Sequence, residues 1–308
     1  MELYRLILYI IFGLLPSLAW LFYYLQKDLH TEPKKMILKV FLLGSLITIP
    51  VFFIQMALSS LLEPLQKLAF FTGYPILLEI IKWFIIIAFI EEFFKYFVVR
   101  ITVMHSWTLD EPLDIMLYMV VAALGFAAVE NMLYLFLPAG GGSFNIFVQT
   151  TAAVSFIRFV GATFLHTLCS GMVGYFLALA SLNLESRNAR PKSFSGLSSK
   201  FGLKMRNNFQ AEPLAKPENS ITFSSSKFGK NTSKAFRDSG FLRNRKKVPL
   251  AIAGIFLATL LHGLYNFSIM TLSSPWHNIV PAAILISLAI FMLYDFDEIK
   301  KVKGICKI

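Results

Sequence analysis

Two adjacent carboxylates, Glu91 and Glu92, lie inside an apolar stretch between Trp83 and Val99. Lys95 follows at helical spacing and can pair with either carboxylate. An ionised carboxylate at bilayer depth is costly, so a pair of them is better explained by chemistry than by packing. The pair therefore indicates a functional site, in which Lys95 holds one carboxylate ionised and leaves the other available as a general base.

Other polar side chains lie inside the remaining apolar stretches. They are Glu130, Asn131, Arg158, His166, His262 and Asn266. Carboxylates and imidazoles together activate a water molecule, either directly as general bases or through a bound metal. The metal alternative would use Glu130, His166 and His262 as ligands, with zinc as the ion and one coordination position open. The sequence leaves open whether the site takes zinc or no metal.

The composition defines the elements that must position these groups. The 308 residues are 56% hydrophobic and only 15% charged, and the mean hydropathy is +0.64, which excludes an ordinary soluble domain. Several apolar runs reach the length of about 20 residues that a spanning helix needs. We therefore predict an all-α, polytopic membrane helix bundle of about seven transmembrane helices. The predicted spans are 4–25, 36–62, 75–99, 113–137, 147–181, 249–272 and 278–294.

The net charge of +11 comes from one segment. Residues 182–248 contain 15 Lys and Arg against 4 Asp and Glu, and the rest of the chain is neutral. A basic nucleic-acid surface is therefore not expected. The positive-inside rule places this segment in the cytoplasm and, with seven spans, the N-terminus outside and the C-terminus inside.

The predicted organisation follows from these boundaries. Residues 1–181 form helices one to five, 182–248 form a basic, disordered cytoplasmic loop, 249–294 form helices six and seven, and 295–308 form a cytoplasmic tail. The fifth span is too long for an untilted helix, so we expect it to tilt or to project beyond the bilayer.

Depth can be estimated from the same boundaries. With a rise of about 1.5 Å per residue, four side chains on the third to sixth spans fall in the central third of a core about 30 Å thick: Glu91, Glu130, His166 and His262. They are predicted to converge on one buried polar site built from four helices.

Five motifs occur in order between residues 75 and 270. They are Glu91-Glu92-Phe93-Phe94-Lys95, Asp110-Glu111-Pro112-Leu113-Asp114, Leu124-Gly125-Phe126-Ala127-Ala128-Val129-Glu130-Asn131, Arg158 with His166, and His262-Gly263-Leu264-Tyr265-Asn266. The ordered combination resembles the PrsW intramembrane proteases, relatives of the CAAX prenyl endopeptidases and of the bacteriocin-processing (Abi) membrane proteases. The resemblance implies Glu91 as the catalytic base. It implies a water-positioning or metal-binding role for Glu130 and His166, and an oxyanion role for His262 with Asn266.

The leading hypothesis is an intramembrane endopeptidase, integral to the cell (inner, cytoplasmic) membrane, that cleaves a membrane-anchored protein. The resemblance implies an anti-sigma factor cut at its extracytoplasmic side as the substrate.

Because buried Glu and His also form proton relays, a transporter or proton-coupled carrier is the alternative, and a non-catalytic scaffold is a third. The expected partners are the lipid bilayer and the protein substrate, with no nucleic acid. The predicted catalytic set is Glu91, Glu92, Glu130, His166, His262 and Asn266, supported by Lys95, Asn131 and Arg158.

Overall fold

The computed structural model describes residues 3–27, 32–104, 106, 109, 111–136, 144–181 and 247–300. Within these ranges all of the regular secondary structure is helical, so the predicted all-α class is confirmed. Nearly all of the predicted basic loop, at 182–246, lies outside the described residues, as do residues 301–308 of the predicted tail. The last helix extends through residue 300, into the first part of that tail.

The chain is organised as a succession of long helices. They are α1 (Leu3–Leu25), α2 (Lys34–Leu65), α3 (Ala69–Gly73), α4 (Pro75–Ile80), a π-helical segment (Ile81–Phe89), α5 (Ile90–Thr102), α6 (Pro112–Phe136), α7 (Phe144–Val160), α8 (Ala162–Ser181), α9 (Lys247–Thr271) and α10 (Trp276–Lys300). Six stretches of the described chain are long and apolar enough to cross a membrane, and they correspond to six of the seven predicted spans.

The remaining predicted span, at 75–99, is a helical run that changes type twice. It consists of α4, the π-helical segment and α5, and it carries five charged side chains between Glu79 and Lys95. Those charges and the change of helix type distinguish it from the other six stretches. A π-helix holds more residues per turn than an α-helix and is frequent at functional sites. Here it ends directly before the turn that carries Glu91.

Helix α6 forms the centre of the bundle. Every residue from Pro112 to Ala128 is buried, and the helix packs against α1, α2 and α8. A helix that is apolar on all sides is expected to be surrounded by other helices. The polar side chains near its C-terminal end are therefore held inside the protein.

Small residues bring α2 against α6 at backbone distance. A Cβ atom added to Gly125 would collide with the carbonyl oxygen of Phe41, and one added to Gly44 would collide with that of Ala122. The Ser45 hydroxyl donates to the Gly125 carbonyl oxygen at 2.9 Å. Interfaces of this kind are typical of helices packed within a membrane.

The fifth predicted span is one apolar helical stretch of 38 residues, Phe144–Ser181, with an irregular turn at Gly161 between α7 and α8. Hydrogen bonds from the Gly161 N–H to the Ile157 carbonyl oxygen and from the Leu165 N–H to the Gly161 carbonyl oxygen continue through that turn.

A Cβ atom at Gly161 would lie 2.7 Å from the Tyr265 hydroxyl oxygen of α9. The absence of a side chain therefore allows α9 to approach the junction. The irregular turn separates Arg158, on α7, from His166, on α8.

Candidate active site

Side chains from α5, α6, α8 and α9 meet at one buried cluster, as the depth estimate predicted. Glu92 lies at its centre and is fully buried. Its Oε1 accepts hydrogen bonds from Lys95 Nζ at 2.8 Å and from His262 Nδ1 at 2.9 Å. Its Oε2 accepts one from the Ser170 hydroxyl at 3.1 Å. Glu92 is thus bound on both oxygens by three donors.

Glu91 is held less tightly than its neighbour. Its Oε1 accepts a hydrogen bond from Gln55 Nε2, on α2, at 3.1 Å. Its Oε2 lies 3.4 Å from Lys95 Nζ, 3.9 Å from His166 Nδ1 and 3.8 Å from His262 Nε2. Oε2 is therefore the carboxylate oxygen that faces both imidazoles without a short hydrogen bond to either.

The partners of each imidazole define its tautomer. His166 Nε2 lies 2.8 Å from Glu130 Oε2, and His166 Nδ1 lies 2.7 Å from Lys95 Nζ. A carboxylate only accepts and an ammonium only donates, so Nε2 carries the proton and Nδ1 accepts. By the same reasoning, the proton of His262 is on Nδ1, opposite Glu92, and its Nε2 presents a lone pair to Glu91.

A second group of side chains lies behind His166. Arg158 Nη2 donates to Glu130 Oε2 at 2.8 Å, and its Nε donates to Asn131 Oδ1. The guanidinium also lies 4.1 Å from the centre of the Tyr134 ring. Arg158 and Asn131 therefore support the carboxylate that holds His166, and neither reaches Glu91.

Asn266 is the predicted site residue that the structure does not join to the cluster. It lies one turn after His262 and is half-buried, and it makes no hydrogen bond with any described residue. Two contributors were absent from the prediction, Gln55 and the anchoring role of Ser170. The available signal for Gln55 was an amide in the middle of an otherwise apolar span.

Three ligand atoms of the cluster could hold a metal ion. They come from Glu91, His166 and His262 and lie within 4.8 Å of one another. Two imidazoles and a carboxylate form a donor set that catalytic zinc takes. The outer nitrogen of each imidazole is held by a glutamate, as is usual behind metal-binding histidines.

This set differs from the predicted one, because Glu91 replaces Glu130. Glu130 bonds the protonated Nε2 of His166, so it stands behind the ring, away from the free nitrogens. The donors present fit zinc, with one condition. Lys95 Nζ occupies the lone pair of His166 Nδ1 in this structure and must leave it before that nitrogen binds a metal.

The charges of the cluster do not balance. Glu91 and Glu92 face the single ammonium of Lys95, and Glu130 is paired with Arg158. With the carboxylates ionised and both histidines neutral, one negative charge remains. Glu91 has the longer ion pair with Lys95, so it is the less closely compensated of the two carboxylates.

Access to the cluster is uneven. The side chain of Glu130 is 19% exposed and that of Arg158 is 10% exposed, whereas that of Glu91 is 5% exposed. The carboxylate–imidazole group therefore lies deeper, and its accessible edge is formed by Glu130 and Arg158.

A helical membrane bundle with oriented carboxylates and imidazoles at its centre has the arrangement of a membrane-embedded enzyme that activates water. Residues 32–206, more than half of the chain, match the model of a family described as "PrsW family intramembrane metalloprotease". His262 lies outside that matched segment, and only the fold brings it to the site.

Curated relatives agree with the family match. Protease PrsW of Oceanobacillus iheyensis is 34% identical over 178 residues, which cover 57% of this chain and 72% of that protein. Protease PrsW of Bacillus subtilis is 30% identical, covering 58% and 71%. Protease PrsW of Geobacillus kaustophilus is 31% identical, covering 57% and 68%. No solved structure matches the chain.

The chain belongs to the PrsW family of intramembrane metalloproteases. It is a multi-pass membrane protease that acts on a membrane-anchored substrate within the bilayer. The carrier and scaffold hypotheses are not retained, because the family is one of enzymes.

Proposed function

We propose that this protease hydrolyses the peptide bond with a water molecule activated by Glu91. The observation that carries the proposal is the difference between the adjacent carboxylates. Glu92 is bound by three short contacts, from Lys95, Ser170 and His262, whereas no partner of Glu91 Oε2 among the described residues lies closer than 3.4 Å. A general base needs an oxygen within reach of the proton that it takes, and Glu91 supplies it.

The water molecule would lie between Glu91 Oε2 and His262 Nε2. These two acceptors are 3.8 Å apart, so one water can donate a hydrogen to each at ordinary hydrogen-bond lengths of about 2.8 Å. Glu92 fixes the acceptor tautomer of His262. This assigns His262 to holding water, in place of the oxyanion role that the resemblance implied for it together with Asn266.

Hydrolysis then proceeds with a simple proton balance. The water oxygen bonds to the carbonyl carbon of the scissile peptide as its proton passes to Glu91 Oε2. When the carbon–nitrogen bond breaks, the protonated Glu91 returns that proton to the departing nitrogen, leaving a new carboxyl group and a new amine. Lys95 holds both carboxylates in place throughout, because its three donor hydrogens are directed at Glu91, Glu92 and His166.

Zinc held by Glu91, His166 and His262 would supply Lewis-acid activation of water or of the scissile carbonyl, and Glu91 would then be a ligand instead of the base. The residues that would position such an ion are those described above, with Glu92 and Glu130 orienting the two imidazoles.

The substrate that we propose is a single-span anti-sigma factor cleaved at its extracytoplasmic side, in the cytoplasmic membrane of a bacterium. The family resemblance supports this substrate class, and the relatives compared are bacterial proteins. Comparison of new protein termini in membranes with and without the protease would identify the cleaved protein. New termini confined to soluble proteins would contradict the proposal.

Two variants, Glu91→Gln and His262→Ala, test the mechanism in proteoliposomes. The substrate is a single-span reporter protein that carries a fluorophore on one side of its extracytoplasmic juxtamembrane segment and a quencher on the other. Each variant should lose cleavage by at least about 100-fold, because a positioned base contributes about 10²–10⁴ in rate. Both variants should accumulate in the membrane at the wild-type level. Elemental analysis of the same preparations shows whether the wild-type protein contains zinc and whether either substitution removes it. Wild-type turnover by either variant would refute the assignment.

A further inference from the structure

Gln55 extends the packed face of α2 to the active site. Gly44, Thr48, Val51 and Gln55 follow one another at intervals of four, three and four residues, which is the spacing of one helix face. The first three are buried against the bundle. Gln55 is half-buried at the point where this face meets the helical run 75–102.

The amide of Gln55 makes two contacts with that run. Its Nε2 donates to Glu91 Oε1 at 3.1 Å and to the Ile87 carbonyl oxygen at 3.4 Å. An amide nitrogen carries two hydrogens, so each acceptor receives one. Ile87 belongs to the π-helical segment and Glu91 to the first turn of α5. Gln55 therefore bridges the junction at which the helix changes type.

This bridge determines which oxygen of Glu91 reaches the imidazoles. With Oε1 held by Gln55, rotation of the carboxylate is restricted and Oε2 faces His166 and His262. The carboxylate of Glu92 is held in the same way by hydrogen bonds from Lys95, Ser170 and His262. Among the described residues, Gln55 is the neutral side chain that donates a hydrogen bond to Glu91.

We propose that Gln55 is a positioning residue for hydrolysis, which orients Glu91 from the neighbouring helix α2. The proposal rests on the assignment of Glu91 as the general base. Gln55 acts on the rate of the chemical step through Glu91, and substrate binding does not depend on it.

The competing role for a membrane glutamine is simple attachment of one helix to another. Thr48 provides the matched control, because it lies two turns earlier on the same face of α2. Its hydroxyl lies within hydrogen-bond distance of two carbonyl oxygens, that of Gly44 in its own helix at 3.2 Å and that of Phe126 in α6 at 3.3 Å, and it does not touch Glu91. Thr48→Val removes a contact between helices and leaves the base in place.

The experiment compares Gln55→Met, Gln55→Glu and Thr48→Val in proteoliposomes with the same quenched single-span reporter. Gln55→Met keeps the length of the side chain and removes the N–H donors. It should lower kcat by about 10–100-fold, the size of effect seen when a supporting hydrogen bond behind a catalytic group is lost, while KM stays within about twofold. Thr48→Val should leave kcat within about threefold, since Glu91 keeps its partner.

Gln55→Glu sharpens the comparison. Glutamate has the same shape but, when ionised, donates nothing and places a second negative charge beside Glu91. Its kcat should be at or below that of Gln55→Met. Thermal unfolding midpoints measured in detergent should be similar for Gln55→Met and Thr48→Val, which separates positioning from stability.

A wild-type kcat in Gln55→Met or Gln55→Glu would overturn the positioning role. The positioning role would also be overturned if Thr48→Val lost as much kcat as Gln55→Met while the two variants had the same unfolding midpoint. The proposed function fails separately, if Glu91→Gln remains active. An inactive Glu91→Gln combined with a fully active Gln55→Met would overturn only the role given to Gln55.

Discussion

The two glutamates adjacent in sequence have different surroundings. Glu92 is bound on both oxygens within the bundle, and Glu91 leaves one oxygen facing two imidazole nitrogens at 3.8 and 3.9 Å. The first is suited to orient His262 and to neutralise Lys95, and the second is suited to accept a proton. The proximity in sequence that marked the pair therefore does not mean that they share a role.

This difference predicts that the contacts of Glu92 stabilise the fold. Glu92→Gln removes the closest carboxylate of the buried Lys95 and leaves only the longer ion pair with Glu91, at 3.4 Å. Loss of one partner of a buried ion pair costs about 3–5 kcal/mol, and because Glu91 still compensates the ammonium we expect the lower end, about 3 kcal/mol. Ser170→Ala, the matched control, removes only one donor to Glu92 and should cost about 1.5 kcal/mol. Thermal unfolding in detergent measures both. Equal shifts in the unfolding midpoint for the two variants would contradict the anchoring role of Glu92.

At the scale of the elements, two irregularities place the site residues. The π-helical segment ends directly before Glu91, and the irregular turn at Gly161 separates α7 from α8. Helix period and hydropathy predicted the third and fifth spans as continuous helical stretches, which they are. Both properties are local, so neither records the change of helix type at Ile81–Phe89 or the irregular turn at Gly161. The approach of Tyr265 to Gly161 comes from a position 104 residues later in the chain.

The glycine contact between α2 and α6 gives a prediction at the same scale. Gly125→Ala forces a Cβ atom against the Phe41 carbonyl oxygen and should destabilise the fold by about 1–3 kcal/mol, as overpacking does. Because α2 also carries Gln55, activity should fall in parallel. Gly73→Ala is the control, since no atom lies within 4 Å of its added Cβ, and it should leave the unfolding midpoint unchanged. If Gly125→Ala and Gly73→Ala had the same unfolding midpoint, the close contact between α2 and α6 would not contribute to stability and the prediction would be wrong.

At the scale of the whole molecule, the distribution of charge predicts how the chain crosses the membrane. The connection at 138–146 contains no Lys or Arg, whereas the segment at 182–248 contains 15. The positive-inside rule predicts that the basic segment and the C-terminus lie in the cytoplasm. Of the accessible edge of the site, Glu130 lies in the C-terminal part of α6, which leads to the uncharged connection, and Arg158 lies in the last turn of α7.

Reporter fusions test this orientation. Alkaline phosphatase fused after residue 308 should be inactive and a fluorescent protein at the same point should be bright, because the C-terminus is predicted to be cytoplasmic. The matched fusion of alkaline phosphatase after residue 143, in the uncharged connection, should be active. An active phosphatase at the C-terminus would reverse the predicted topology.

The sequence by itself determined the membrane class and the helical fold, because hydropathy and helix period are properties of each segment alone. It also identified Glu91, Glu92, Glu130, His166 and His262 as one group. Only the tertiary structure decided how they face one another. Glu91 replaced Glu130 opposite the free imidazole nitrogens, Gln55 joined from α2, and Asn266 stayed apart. These outcomes depend on the rotation of each helix about its axis and on contacts between residues 36 to 170 positions apart, which no local pattern records.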